Sequence, residues 1–178
     1  MEQKIVNHLV RHGTENLWEL LETVPDPEIP VLSVVDLGII RDVRKIPKDE
    51  QTTGEWEISI TPTYSGCPAM DMISMNIELA LFEAGYHNII IKTILSPAWT
   101  TDWMPASAKQ KLLDYGIAPP YQKVSTCSAM EANEQMAVQC PRCKSYHTQM
   151  VSQFGSTACK SLYKCLECLE PFDHFKCH

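Results

Sequence analysis

The sequence predicts an α+β fold: a small two-layer domain with helices on a short mixed sheet, followed by a C-terminal metal-binding β-ribbon. Three observations predict it. Hydropathy patterns over residues 14–95 run helix, strand, strand, helix, strand, the order of a small sheet with helices on one face. Two C-x2-C knuckles, Cys140-Pro141-Arg142-Cys143 and Cys165-Leu166-Glu167-Cys168, lie near the C-terminus. Between these parts, residues 119–138 are polar, turn-rich and without period. A chain of 178 residues fits one ordinary domain plus a small appendage. The expected boundaries are 1–118 for the first domain, 119–138 for a linker and 139–178 for the ribbon.

The first helix is expected over residues 14–24, with Thr14 as N-cap and Leu17, Leu20, Leu21 and Val24 as its buried stripe. Pro25 ends it. Pro25, Pro27 and Pro30 remove three backbone donors, so Asp26-Pro27-Glu28-Ile29-Pro30 is a stiff connector holding two carboxylates two residues apart. Residues 39–46 and 55–61 then read as an antiparallel hairpin joined by a long polar loop through Pro47, Asp49 and Gly54. Met70, Ile73, Ile77, Ala80, Leu81 and Ala84 recur at helical spacing, giving a helix over residues 68–84 with Gly85 at C′. Asn88 to Leu95 reads as a third, well-buried strand. Trp99 and Trp103 are expected to pack their segment onto the sheet, ahead of a helix running to Tyr115 and closed by Gly116. Cys127 is expected as an exposed thiol in the linker.

The first domain is organised around Thr61-Pro62-Thr63-Tyr64-Ser65-Gly66-Cys67-Pro68. Pro68 suits the first position of the helix, where its missing N–H costs nothing. Cys67 then falls at or beside the N-cap, where free N–H groups and the helix dipole favour a thiolate. Asp71, one turn on, opposes this. A small buried cysteine acting as filler is the alternative.

The 21 residues between the two knuckles can form a hairpin that brings both turns together. Four thiolates, Cys140, Cys143, Cys165 and Cys168, suit tetrahedral Zn2+, and a piece of about 40 residues needs such a metal because its own core is too small. Iron on the same ligands is the rival occupant, and disulfides are a third reading. Arg142, Lys144 and Lys164 stand beside the knuckles, placed to offset thiolate charge. Cys159 and Cys177 are expected as packed thiols, with a second, labile metal site as the alternative.

The net charge of -7 lies in residues 1–125, with 17 acidic and 10 basic side chains, while residues 126–178 carry five of each. Neither part has the dense basic patch that phosphate-backbone binding needs, so no nucleic-acid partner is expected. The N-terminus lacks a basic and apolar leader, and no apolar run approaches bilayer length. A cytoplasmic protein without membrane contact is the expectation, and eight cysteines there point to metal or thiol chemistry.

Asp26-Pro27-Glu28-Ile29-Pro30-Val31, Asp36-Leu37-Gly38-Ile39 and Thr61-x-Thr63-x-x-Gly66-Cys67-Pro68 together resemble the domain of iron–sulfur cluster assembly accessory proteins. That group includes bacterial SufT-like proteins and a eukaryotic cytosolic targeting factor. Further motifs extend the match over nearly the whole chain. Leu95-Ser96-Pro97-Ala98-Trp99-Thr100-Thr101-Asp102-Trp103-Met104, Tyr115-Gly116-Ile117-Ala118-Pro119-Pro120, Phe154-Gly155-Ser156-Thr157-Ala158-Cys159-Lys160 and Glu170-Pro171-Phe172-Asp173 are similar to the PaaD-like family, the D subunits of phenylacetyl-CoA epoxidase systems. The motifs stand intact here.

The resemblance implies an iron–sulfur-assembly-type domain followed by a zinc β-ribbon. It also implies a non-catalytic role in aerobic phenylacetate degradation: maturation of a multicomponent oxygenase. The implied partners are the epoxidase reductase and oxygenase subunits and the iron–sulfur assembly machinery. The expected contact residues for a transient cluster or iron are Cys67, Asp26, Glu28 and Thr61, and a homodimer pairing two Cys67 thiols is compatible with them. The competing reading is a structural adaptor that stays bound to the oxygenase. An enzyme with Cys67 as nucleophile, a redox protein with iron in the ribbon and a nucleic-acid-binding ribbon are weaker alternatives.

Overall fold

The computed structural model describes residues 15–46, 56–64, 66–120 and 138–176, which belong to two units, 1–99 and 100–178. Thr14, the polar loop at 47–55, Ser65, Cys127, Cys177 and His178 lie outside the described residues.

In the first unit, α1 (Glu15–Leu21) buries Leu17, Trp18 and Leu21. Trp18 joins the expected stripe and Leu20 stays half-buried. The chain then turns through the proline-rich connector and enters β1 (Ile40–Lys45), which pairs antiparallel with β2 (Trp56–Ile60). Helix α2 (Ala69–Glu83) follows, burying Ala69, Ile73, Ile77 and Leu81, four residues at helical spacing on one side. It ends as its sequence predicts. Gly85 takes φ +88°, and its N–H and that of Tyr86 return to the carbonyls of Phe82 and Leu81. Strand β3 (Ile89–Thr93) lies parallel to β2, so β2, α2 and β3 form a parallel crossover on a mixed sheet of order β1-β2-β3.

One expectation fails here. The third strand is an edge strand and is not well buried: Ile89 and Ile91 are half-covered, and Ile90 and Leu95 are exposed. An apolar run identifies a strand without saying how many of its sides are covered.

In the second unit a short 3-10 turn (Thr101–Trp103) leads into α3 (Ala106–Tyr115), which Gly116 closes at φ +95°. The ribbon is a three-stranded antiparallel sheet, β4 (Thr148–Ser152), β5 (Lys160–Cys165) and β6 (Pro171–Phe175), in that order. The expected hairpin is β4–β5; β6 is additional. Ala118 runs beside β6, donating to the Asp173 carbonyl and accepting from the Phe175 N–H. That pairing ties residues expected with the first domain to the ribbon. Ala118, Val138, Cys140, Tyr163, Cys165 and Phe172 form its core, with Tyr163 stacked on Phe172 at 5.9 Å between ring centroids. His174 packs edge-on to Tyr163 and shares a 3.2 Å hydrogen bond with Ser161 Oγ.

Candidate metal centre and cysteine site

Two cysteine environments of opposite kind are present. In the ribbon, the Sγ atoms of Cys140, Cys143, Cys165 and Cys168 all lie within 4.8 Å of one another. Cys140 and Cys168 stand 3.8 Å apart and Cys143 and Cys165 3.4 Å apart. Four sulfurs at about 2.3 Å from a central Zn2+ would stand roughly 3.8 Å from each other, so the cage has the size of a tetrahedral zinc site.

Local backbone explains how each pair is held. The N–H of Cys140 donates to the Ser145 carbonyl, and that of Cys165 to the Glu170 carbonyl, five residues on in both cases. The residue after each second cysteine, Lys144 and Leu169, adopts left-handed backbone at φ +62° and +61°. The two knuckles are therefore copies of one turn. Their left-handed residues are not glycine, which is why the sequence does not announce them.

The thiols respond to each other in opposite directions. Backbone N–H bonds from Cys168 and Glu167 favour the Cys165 thiolate and hold that thiol at about 7. For Cys168, the N–H of Glu170 also favours the thiolate, but burial and the neighbouring sulfurs outweigh it and push the thiol up to about 12. Four thiolates in this space need a cation among them. Two of the three expected basic neighbours are turned to other partners: Arg142 pairs with Glu170, and Lys144 donates to the Pro141 carbonyl. The donor set is that of a closed structural zinc site, and Zn2+ there supplies cross-linking. Cys159, buried and 3.0 Å from Thr157 Oγ1, stands apart from it.

In the first unit Cys67 is half-buried in the loop from β2 to α2, one residue ahead of Pro68, the N-cap. Pro68 thus sits one position earlier than expected, and no side chain caps the helix. The Cys67 carbonyl accepts the Met70 N–H, and its own N–H donates to the Tyr64 carbonyl. Gly66 turns the chain at φ +81°, where a Cβ would meet nothing but where an L side chain is strained. The loop stands at the carboxyl end of the parallel pair β2–β3, the end at which open α/β sheets place ligands.

Of the other expected residues, Thr61 stands at that end. Thr61 directly follows β2; its N–H donates to the Ile39 carbonyl, and its Oγ1 is buried with no hydrogen-bond partner among the described residues. Asp26 is buried, and its Oδ1 accepts the N–H groups of Glu28 and Ile29 at 2.9 and 2.7 Å. It holds its own proline-rich turn in shape. Glu28 is half-buried. Among the described residues, the ribbon sulfurs are the one gathered group of three or more metal-binding side chains, so Cys67, Asp26 and Glu28 do not form a second.

Sequence reasoning missed the ties that fix this end. Ser33 and Asp36 cap each other, with Ser33 N–H on Asp36 Oδ2 and Asp36 N–H on Ser33 Oγ, both at 3.0 Å. Trp99 is buried, and its indole N–H donates to the Leu37 carbonyl at 2.9 Å. The S-x-x-D spacing was the readable signal for the first; for the second the sequence pointed to a packed Trp99 but carried no signal for its bond to Leu37.

Comparison with known proteins bears on both environments. The iron-sulfur cluster assembly protein family model matches residues 14–84, and the PaaD zinc beta ribbon domain model matches residues 125–176. An Escherichia coli (strain K12) protein, named as the D subunit of a "Putative 1,2-phenylacetyl-CoA epoxidase", is 47% identical over 161 residues, covering 90% of this chain and 91% of that one. A Porphyromonas gingivalis "Fe-S protein maturation auxiliary factor" is 33% identical over 99 residues, 55% of this chain and 89% of its own. A crystal structure of a domain of unknown function from Bacillus anthracis is 27% identical, covers 60% of this chain and 96% of its own, and has a TM-score of 0.49. Among the described residues no helix is long and apolar enough to cross a membrane.

Proposed function

The chain belongs to the PaaD-like family of phenylacetyl-CoA epoxidase D subunits, and from that premise we propose that it is a non-catalytic maturation factor that handles iron or an iron–sulfur cluster as cargo for the reductase or oxygenase of the epoxidase system. The observation that carries the reading is the contrast between its cysteines. Four thiolates in a closed cage bind a metal to keep it; a single half-buried thiol at an open loop offers few ligands and can let a cargo go. Cys67 is the cargo contact. Thr61 brings a buried hydroxyl that still has hydrogen-bonding capacity. Asp26 acts through its turn, holding Glu28 in place, and the ribbon serves structure and docking.

Metal content and the visible spectrum of protein purified without oxygen, beside Cys67→Ser, test this. The expected result is one zinc in both forms, with substoichiometric iron and visible absorbance in the wild type alone. Zinc without iron in either form, even after reconstitution with iron and sulfide, would overturn it.

The word subunit in the name of the E. coli relative favours a second reading, an adaptor that remains in the oxygenase complex. An adaptor restores activity when added to mature oxygenase lacking it. A maturation factor leaves behind a metal-deficient client that later addition does not rescue.

A further inference from the structure

Helix α2 carries two apolar faces. One is the buried face described above; the other consists of Met72, Met75, Leu79 and Phe82, exposed at 46%, 55%, 54% and 62%. Their spacing of three, four and three residues draws one straight seam, the a/d pattern by which helices pack on helices. At 100° per residue the seam lies nearly opposite the buried side. A helix covering a sheet with one side normally turns charge to the solvent with the other.

The charges on α2 identify what suits the seam. Asp71 and Glu78 border it on one side and Glu83 on the other, and the helix contains no Lys or Arg. A second copy would set carboxylates against carboxylates whichever way the two helices ran. We propose that this face docks an amphipathic helix of a partner protein whose apolar seam is bordered by Lys and Arg. Apolar contact supplies the burial, and the acidic borders select the partner and its register. The seam starts one turn into α2, so such a partner would lie alongside the helix whose N-terminus follows Cys67. The inference stands whether or not Cys67 handles iron, because its test reads no metal.

Two fluorescein-labelled model helices serve as probes, with the same Leu/Ile seam and either Lys/Arg or Glu at the bordering positions. Their anisotropy is titrated with the full-length, zinc-loaded chain. The basic-bordered helix should bind at least about ten-fold more tightly than the acidic one and weaken with salt. Leu79→Gln should weaken it by about ten-fold or more. The charge swap Glu78→Lys with Glu83→Lys, checked for unchanged helicity by circular dichroism, should reverse the preference between probes. Equal binding of both probes overturns the proposal, as does binding that survives Leu79→Gln, which is mere attraction to an acidic protein. Self-association abolished by Leu79→Gln would also overturn it, making a second copy the occupant.

Discussion

His174 should make the ribbon acid-sensitive. Burial pushes this imidazole down from 6.5 to about 4. The unfolded chain therefore binds a proton in a range where the folded ribbon refuses it. The stabilisation is complete above about pH 6.5 and is lost as pH falls through the window down to about 4. Two and a half pH units correspond to about 3 kcal/mol, of which about 2 kcal/mol is gone by about pH 5. For a unit the size of residues 100–178, that loss lowers the melting temperature by roughly 10 °C. His174→Phe keeps a ring against Tyr163, leaves Ser161 Oγ its bond to the main-chain carbonyl of residue 174, and removes the titration. Thermal unfolding of both proteins near pH 7.5 and pH 5, with zinc in excess and its content measured, isolates the histidine from proton uptake by the thiolates. The wild type should lose roughly 10 °C more than the variant over that interval. Equal losses in the two proteins would refute the reasoning.

Three further outcomes follow from particular contacts. Stripping zinc with a strong chelator should abolish the ribbon's aromatic near-ultraviolet signal while the helices of the first unit persist, because structural zinc contributes on the order of 10 kcal/mol to such folds; an intact ribbon signal in the stripped protein would contradict this. Gly155→Ala should cost about 1–3 kcal/mol in chemical denaturation, since a Cβ there would lie 2.4 Å from Asp173 Oδ1 and 3.3 Å from the Ser161 backbone; a change within experimental error would mean that Asp173 moves aside freely. Asp26→Ala should destabilise the first unit by about 2 kcal/mol through two unsatisfied N–H groups, and Asp26→Asn, which keeps the accepting Oδ1, by less than about 1 kcal/mol; equal losses would show that the charge matters and not the turn.

Much of this architecture was legible because it rests on local rules. The 3.6-residue repeat gave α2 to within a residue at each end, and Gly85 and Gly116 mark helix ends that need left-handed backbone. The knuckles announced the zinc cage because two sulfurs per turn is itself a geometry. What stayed illegible depends on partners distant in sequence. Ile89-Ile90-Ile91 reads the same in a central strand as at an edge, and only the sheet order exposes it. Ala118 belongs with the ribbon through backbone bonds to Asp173 and Phe175, which no side-chain pattern encodes. Asp26 is expected to shape or assist the contact site because it is an acidic residue on a rigid turn. What its side-chain type does not announce is that its Oδ1 helps make that turn rigid.

The same division separates the two cysteine environments of the chain. Each ribbon sulfur belongs to a turn held shut by a backbone bond five residues long and completed by a left-handed residue, so within the folded ribbon each knuckle presents its two sulfurs together. Placing four negative sulfurs within 4.8 Å is unfavourable without a cation, and that cost reappears as affinity and retention once the cation is there. Cys67 has neither device. Its loop is anchored from outside, through Thr61 to Ile39 and through Trp99 to Leu37, while among the described residues it belongs to no gathered group of three or more metal-binding side chains. In the proposed carrier role, an anchored loop with so few ligands of its own would leave the remaining ligands to be supplied by whatever docks beside it. On that view completion by a partner, and not affinity of the chain alone, sets when a cargo is held and when it is passed on.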